Sequence, residues 1–253
     1  MKTPVEQEYW DDLYQERKLV YEEDGVLFKE LFEKYLTPGG ECFEVGCFPG
    51  NFLIYLGRRF GYRVSGIDAT PQVETRMRDY LEGNGVEVGE LFRGNFLEFV
   101  APKPYEVVCS FGFVEHFYNF EEIIKLHIKL TKESGTLILS CPNFRGLQYW
   151  LHRAFDSVNL RRHVLEAMDL DRWRRVLEAN GMEVVHQGYY RTADFWVEAE
   201  PRSPIARAST ARIRRLFQAV DRRLSWPNPM TSPYMISISK KKETATKATD
   251  NGR

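Results

Sequence analysis

The chain has 253 residues, 43% of them hydrophobic and 14% aromatic, enough to bury a sizeable core in one α/β domain with added elements. Its 35 basic and 36 acidic side chains leave a formal net charge of -1, which argues against a global field of the kind that gathers nucleic acid or anionic membrane; any such partner needs a local patch. Cys42, Cys47, Cys109 and Cys141 lie in or beside apolar runs with no CxxC pair and no zinc-like Cys/His spacing, so they read as reduced core residues.

The N-terminus, MKTPVEQEYWDD, is acidic and polar where a secretory signal needs an apolar stretch, and no run approaches the length of a membrane span. A cytoplasmic protein is expected. Residues 1–40 precede the first strand-like run and are expected to form an N-terminal helical lid. The strands follow at 41–46, 62–68, 90–95, 105–110, 135–141, 182–188 and 233–239. Between them, GNFLIYLGRRF, PQVETRMRDYLEG, NFEEIIKLHIKLTKES and MDLDRWRRVLEANG carry apolar residues at spacings of three and four, the pattern of crossover helices. Alternation of this kind predicts βαβ units feeding a parallel sheet. Residues 189–232 form an insertion before the last strand, too long for a plain loop and expected to help roof the site. Within it, Ile213, Leu216, Phe217, Val220 and Leu224 make an apolar stripe among arginines, a basic amphipathic helix. The single domain is expected to end at 240, and the polar tail 241–253 to be disordered.

The chemistry-bearing pattern begins where the first strand runs into EVGCFPGNF. A helix start offers unpaired N–H groups and a partial positive charge, and glycine lets a ligand approach it. Gly46 and Gly50 keep the outer glycines of a GxGxG turn, but Phe48 replaces the middle one, and the turn alone is as consistent with a structural strand-to-helix connection. Asp68 ends the second strand, 24 residues after Glu44, where a carboxylate can accept from both ribose hydroxyls of a nucleoside or else cap the helix opening at Pro71.

This pattern resembles the class I S-adenosylmethionine-dependent methyltransferases of the small-molecule type, in which acidic residues end the first two strands around a glycine-rich turn. The resemblance covers most of the chain and extends to GNF at 94–96, SFGFVEHF at 110–117 and SGTLILSCPN at 134–143. It implies a Rossmann-like three-layer sandwich with a seven-stranded, mostly parallel sheet whose last strand is antiparallel. It implies S-adenosyl-L-methionine as cofactor, held by Glu44, Gly46, Cys47, Gly50, Asp68, Ala69, Asn95, Phe96, Ser110, Phe111 and Gly112. In that scheme Glu44 orients the turn and meets the methionine amino group, and Asp68 holds the ribose. Asn95 stands where the family commonly has an acidic residue facing the adenine amine, and Phe96 is placed to stack on the base. EYWDDLY resembles a short aromatic helix often found ahead of this fold, with Tyr9, Trp10 and Tyr14 as candidates to close over the cofactor or, equally, to form an ordinary core stripe.

A sulfonium methyl is already electrophilic, so the protein must chiefly align a nucleophile and exclude water. His116 is the first candidate base for a hydroxyl or amine acceptor, or else part of a helix-start packing element. Tyr14, Tyr149, His152 and His163 are candidate acceptor contacts; each histidine of the post-strand-five stretch either binds substrate or sits on a solvated loop. No metal site is expected, because histidines and carboxylates do not cluster at ligand spacing in the sequence.

Two other readings compete. Residues 202–226 hold seven arginines and one acidic residue, which permits a membrane-peripheral contact through 206–224 or a nucleic-acid-binding module; no RNA-recognition motif supports the latter. An NAD-binding Rossmann protein shares the acidic residue after the second strand, but is opposed by the broken glycine signature and the seventh strand. Sequence favours methyl transfer to a hydroxyl or amine of a small molecule, with acceptor and oligomeric state open.

Overall fold

In the computed structural model, which describes residues 3–198 and 203–243, apolar runs form one sheet of seven strands. These are β1 (Glu41–Val45), β2 (Arg63–Asp68), β3 (Val88–Arg93), β4 (Tyr105–Phe111), β5 (Thr131–Pro142), β6 (Met182–Tyr190) and β7 (Tyr234–Lys241), in the spatial order β3-β2-β1-β4-β5-β7-β6. β1 to β5 pair in parallel, whereas β7 inserts antiparallel between β5 and β6. The expected mostly parallel sheet with an antiparallel last strand is what forms. Because β1 is buried on both faces, Cys42, Phe43 and Val45 are all fully enclosed and no polar alternation is seen.

Helices cover both faces. On one side α2 (Lys29–Tyr35), α3 (Asn51–Phe60) and α4 (Arg78–Gly83) supply Phe32, Leu53, Leu56 and Leu81 to a core with Val64 and Ile238. On the other, α5 (Phe120–Leu130) and α8 (Leu170–Ala179) place Ile123, Ile124, Trp173 and Leu177 against Val108, Leu137 and Leu139. The Trp173 indole N–H donates to the Ala167 carbonyl at 2.7 Å, so the largest core side chain is also satisfied. The four cysteines are free thiols inside this core.

Several boundaries differ from the sequence reading: β3 lies at Val88–Arg93 instead of 90–95, and β6 runs to Tyr190 instead of 188. The fifth helix ends at Leu130 instead of running to 134, because Thr131 already pairs with Tyr105 and the chain enters β5 through a bulge around Ser134. β7 includes Lys241, where the tail was expected to begin; residues 244–253 lie outside the described residues. The helix at 71–83 divides into a π-helical turn, Val73–Met77, and α4.

The added segments behave unequally. α1 (Gln7–Gln15) lies over the carboxyl ends of the strands, whereas α9 (Pro204–Asp221) borders neither of the cavities there. Leu216 and Leu224 of its expected stripe remain 61% and 54% exposed, so the insertion does not roof the site as a helix. Its contribution comes from the stretch before it, through Trp196 and Glu198. No described helix is long and apolar enough to cross a membrane.

Candidate active site

Crossovers leave β1 and β4 in opposite directions, and a parallel sheet opens a crevice at the carboxyl ends of such a pair. A cavity of about 450 Å³ occupies it. Its floor is the turn after β1. Gly46 adopts φ +71°, and a Cβ there would stand 2.8 Å from the Phe113 ring, so glycine is needed both for the backbone and for the approach. At Gly50 a Cβ would instead meet Leu81 and Met77, which makes this glycine the left-handed start of α3 and a packing contact with α4.

Asp68 reaches the cavity from the end of β2. Its carboxylate accepts the Phe48 N–H at 3.1 Å and the Thr70 N–H at 3.0 Å, which fixes its orientation. Open to the cavity but otherwise surrounded by protein, the carboxyl is pushed up to about 6 by burial, against the opposing pull of these N–H donors. The substitution at Phe48 therefore leaves the backbone donor to Asp68 in place; its ring packs 5.0 Å from that of Tyr14 on α1.

Gly46, Asp68, Ala69, Asn95, Phe96, Phe111 and Gly112 of the expected cofactor set line this cavity; Glu44, Cys47, Gly50 and Ser110 are not among its lining residues. The Cys47 thiol turns inward, 3.7 Å from the Met77 sulfur. Glu44 is buried behind the turn, with Oε2 lacking a hydrogen-bond partner and its pKa raised well above the carboxylate range, chiefly by burial. Asn95 is exposed and caps a short 3-10 turn: its carbonyl accepts the Leu97 N–H at 3.1 Å while its amide donates to Glu98. The Phe96 ring is largely buried, 4.8 Å from His127 and 5.7 Å from Phe113, so it serves the core as well as the cavity.

A second cavity, about 280 Å³, shares Trp10, Phe111, Gly112 and His116 with the first. Phe28, Trp196 and Tyr234 supply its aromatic wall, and Glu115, His163, Arg162 and Glu198 its polar groups. Arg162 pairs with Glu198 at 2.5 Å and lies 3.6 Å over the Tyr9 ring, while the Tyr9 hydroxyl donates to the same carboxylate. This clasp joins α1, the segment after α7 (Ser157–Arg161) and the stretch after β6.

His116 and His163 face each other with ring centroids 4.7 Å apart. Their Nδ1 atoms lie 2.9 Å from the Arg162 carbonyl and 2.8 Å from the Asn159 carbonyl. Burial lowers His116 to about 4 and, with the help of His116, lowers His163 to about 3; burial raises Glu115 to about 8. The Glu115–His116 contact at 4.0 Å is therefore between neutral groups near pH 7. His116 remains in the expected place, but as a weaker proton acceptor than an exposed histidine.

The expected acceptor contacts divide. His163 lines the second cavity and Tyr14 the first, whereas Tyr149 and His152 are absent from both linings. His152 is packed against Phe144 and lies 3.7 Å from Asp156, and the Tyr149 hydroxyl accepts from Arg153 on the surface of α6 (Gly146–Phe155). The expectation that histidines and carboxylates do not cluster is corrected: Glu115, His116 and His163 present ligand atoms within 4.8 Å of one another. Sequence spacing hid this group because 46 residues separate its two histidines, and the Val164 N–H bond to the Glu115 carbonyl at 2.8 Å brings them together. Trp196 and Glu198 were likewise missed, since nothing local marks them.

Residues 20–187 match the family model of a methyltransferase domain. The chain belongs to this family. The methyltransferase domain has the class I, Rossmann-like fold of the S-adenosylmethionine-dependent enzymes. It is similar to a SAM-dependent methyltransferase from Thiobacillus denitrificans solved with S-adenosyl-L-homocysteine, at 16% identity, TM-score 0.53, covering 82% of this chain and 87% of that one. It is also similar to the N-methyltransferase NodS from Bradyrhizobium japonicum WM9, solved with the same ligand, at 12% identity and TM-score 0.51, covering 84% and 82%. The [4+2]-cyclase SpnF is similar too, at 14% identity and TM-score 0.54, covering 84% and 79%, so likeness of fold does not by itself fix the reaction. A search of the curated proteins finds no match in sequence.

Proposed function

We propose that this methyltransferase domain takes its methyl group from S-adenosylmethionine in the 450 Å³ cavity and delivers it to a hydroxyl or amine of a small molecule in the 280 Å³ cavity. The observation that carries the reading is the shared wall: Trp10, Phe111, Gly112 and His116 border both spaces, so a donor in one and an acceptor in the other meet there. The residues fit such a donor. Asp68 offers a fixed carboxylate to ribose hydroxyls, and the Gly46 turn permits close backbone approach. Bound there, the sulfonium supplies an electrophilic methyl, so the chain's own task is to align the acceptor and exclude water.

Trp10 and Tyr14 of α1 cover the donor side, and the aromatic wall of Phe28, Trp196 and Tyr234 gives the acceptor a dry, narrow seat. His116 is held with its Nδ1 on a backbone carbonyl, which leaves the Nε2 lone pair 4.0 Å from Glu115 Oε1 in the wall of that cavity. A cavity of about 280 Å³ suits a small acceptor. Calorimetric titration with S-adenosylmethionine, S-adenosylhomocysteine and NAD tests the donor assignment; micromolar binding of both adenosyl ligands without NAD is expected, and NAD binding alone overturns it. Labelled-methyl transfer to a panel of small phenols, hydroxy acids and amines then tests the acceptor class.

A further inference from the structure

We propose that Glu115, His116 and His163 form a divalent transition-metal site in the acceptor cavity, whose ion binds the hydroxyl of an oxygen acceptor. The inference rests on the two-cavity reading above and narrows its acceptor to a hydroxyl compound.

The first argument is tautomer. A backbone carbonyl can only accept, so the Nδ1 atoms of His116 and His163, held at 2.9 and 2.8 Å by the Arg162 and Asn159 carbonyls, must both donate. In the neutral rings this leaves both lone pairs on Nε2, and the Nε2 of His116 faces Glu115 Oε1 at 4.0 Å. Orientation of ligating histidines by a carbonyl on the far nitrogen is what metal sites use to fix the ring.

The second is an unmet need. Glu115 is 1% exposed, lines the cavity, and its Oε2 has no hydrogen-bond partner among the described residues. A buried carboxyl oxygen without a partner is costly, and a cation satisfies it. The cationic side chain that lines this cavity, Arg162, is already paired with Glu198 at 2.5 Å and stacked on Tyr9, so it does not serve.

The third is geometry. The ligand atoms lie within 4.8 Å of one another. Ligands about 2.1 Å from one ion stand about 3.4 Å apart at a tetrahedral angle, so binding asks the cluster to close by up to about 1.4 Å. Two imidazoles and one carboxylate suit Zn²⁺, Co²⁺ or Mn²⁺ and leave coordination positions for an outside ligand. His116 of this cluster belongs to the wall shared with the donor cavity. Coordination lowers the pKa of a hydroxyl, whose proton leaves to bulk solvent as the acceptor enters; the oxygen then forms the C–O bond as the donor's C–S bond breaks and its sulfur departs as a neutral thioether.

The test uses the full chain stripped with a chelator. Co²⁺ is added as the probe and followed by visible absorption, with Zn²⁺ competition, while S-adenosylhomocysteine binding is measured on the same metal-free sample. One equivalent of Co²⁺ with ligand-field bands is expected, lost by roughly 100-fold or more in affinity in Glu115→Gln and His163→Gln and retained in His186→Gln. Absence of Co²⁺ and Zn²⁺ binding in the folded wild type overturns the site, as does equal binding by wild type and both cluster variants. Should Glu115→Gln fail to fold, His163→Gln alone decides. Loss of S-adenosylhomocysteine binding with Co²⁺ binding intact overturns the donor reading and not the metal site.

Discussion

The two cavities share four residues but are assembled in different ways. The larger draws most of its floor from short stretches at strand ends, around 46–48, 67–69, 94–97 and 111–117, each set by the strand before it. The smaller collects Trp10, Phe28, Glu115, His163, Trp196 and Tyr234, which lie far apart in the chain and meet only once α1, α7 and the stretch after β6 are in place. A fixed sheet can hold a common ligand with local turns, whereas a particular acceptor has to be gripped by segments that vary independently of the sheet.

Breaking the donor side without touching the acceptor side gives the largest expected effect. Asp68→Ala removes the carboxylate that the Phe48 and Thr70 N–H groups hold toward the cavity, and should cost about 1–3 kcal/mol of S-adenosylmethionine affinity by calorimetry. The acceptor KM at saturating donor should be little changed. An unaltered donor affinity would remove Asp68 from the site.

The same group gives a pH signature. Its folded pKa, about 6, lies above the ordinary 3.8, so protonation favours the free folded chain at low pH and that advantage is lost as pH rises through about 6. Donor binding runs the other way, because ribose hydroxyls need the ionised carboxylate: affinity should fall by roughly tenfold per pH unit below about 6. A flat affinity profile from pH 7 to 5 contradicts the assignment.

These contrasts also explain what could be read from the chain. All seven strands and the positions of Gly46 and Asp68 follow from apolar runs and the residues that end them, whereas the antiparallel β7 and Gly112 are implied by the family resemblance. The shorter fifth helix was hidden because FEEIIKLHIKL continues into TKES without a breaker, and only pairing of Thr131 with Tyr105 stops it. In the acceptor cavity the sequence marks His116 beside the fourth strand and His163 in the stretch after the fifth, but His152, in that same stretch, turns into the core beside Phe144. Which histidine faces inward depends on where α6 and α7 bend at Asp156, a tertiary matter with no local signature.

On the acceptor side the expected effects are smaller. Trp196→Ala removes one aromatic wall and its contacts with Phe144 and His152, at 5.6 and 5.4 Å. Once an acceptor is in hand, its KM should rise by about tenfold, the worth of one aromatic contact, with donor affinity held within about twofold. A matching loss of donor affinity would mean that the two spaces work as one.

The smallest effect comes from the clasp that spans them. Tyr9 donates to Glu198, and Arg162 both pairs with that carboxylate and lies over the Tyr9 ring. Tyr9→Phe deletes one hydrogen bond but keeps the ring for Arg162, so about 0.5–1.5 kcal/mol is at stake, and less where water replaces the lost partner. Because Glu198 borders the acceptor cavity and Tyr9 borders neither, the change should appear as a few-fold rise in acceptor KM. Arg162→Leu, which removes the ion pair and the ring contact together, should exceed it. If Tyr9→Phe instead weakens donor binding and leaves the acceptor KM alone, α1 is held over the donor by this clasp, and the boundary between the cavities lies at Tyr9 rather than at His116.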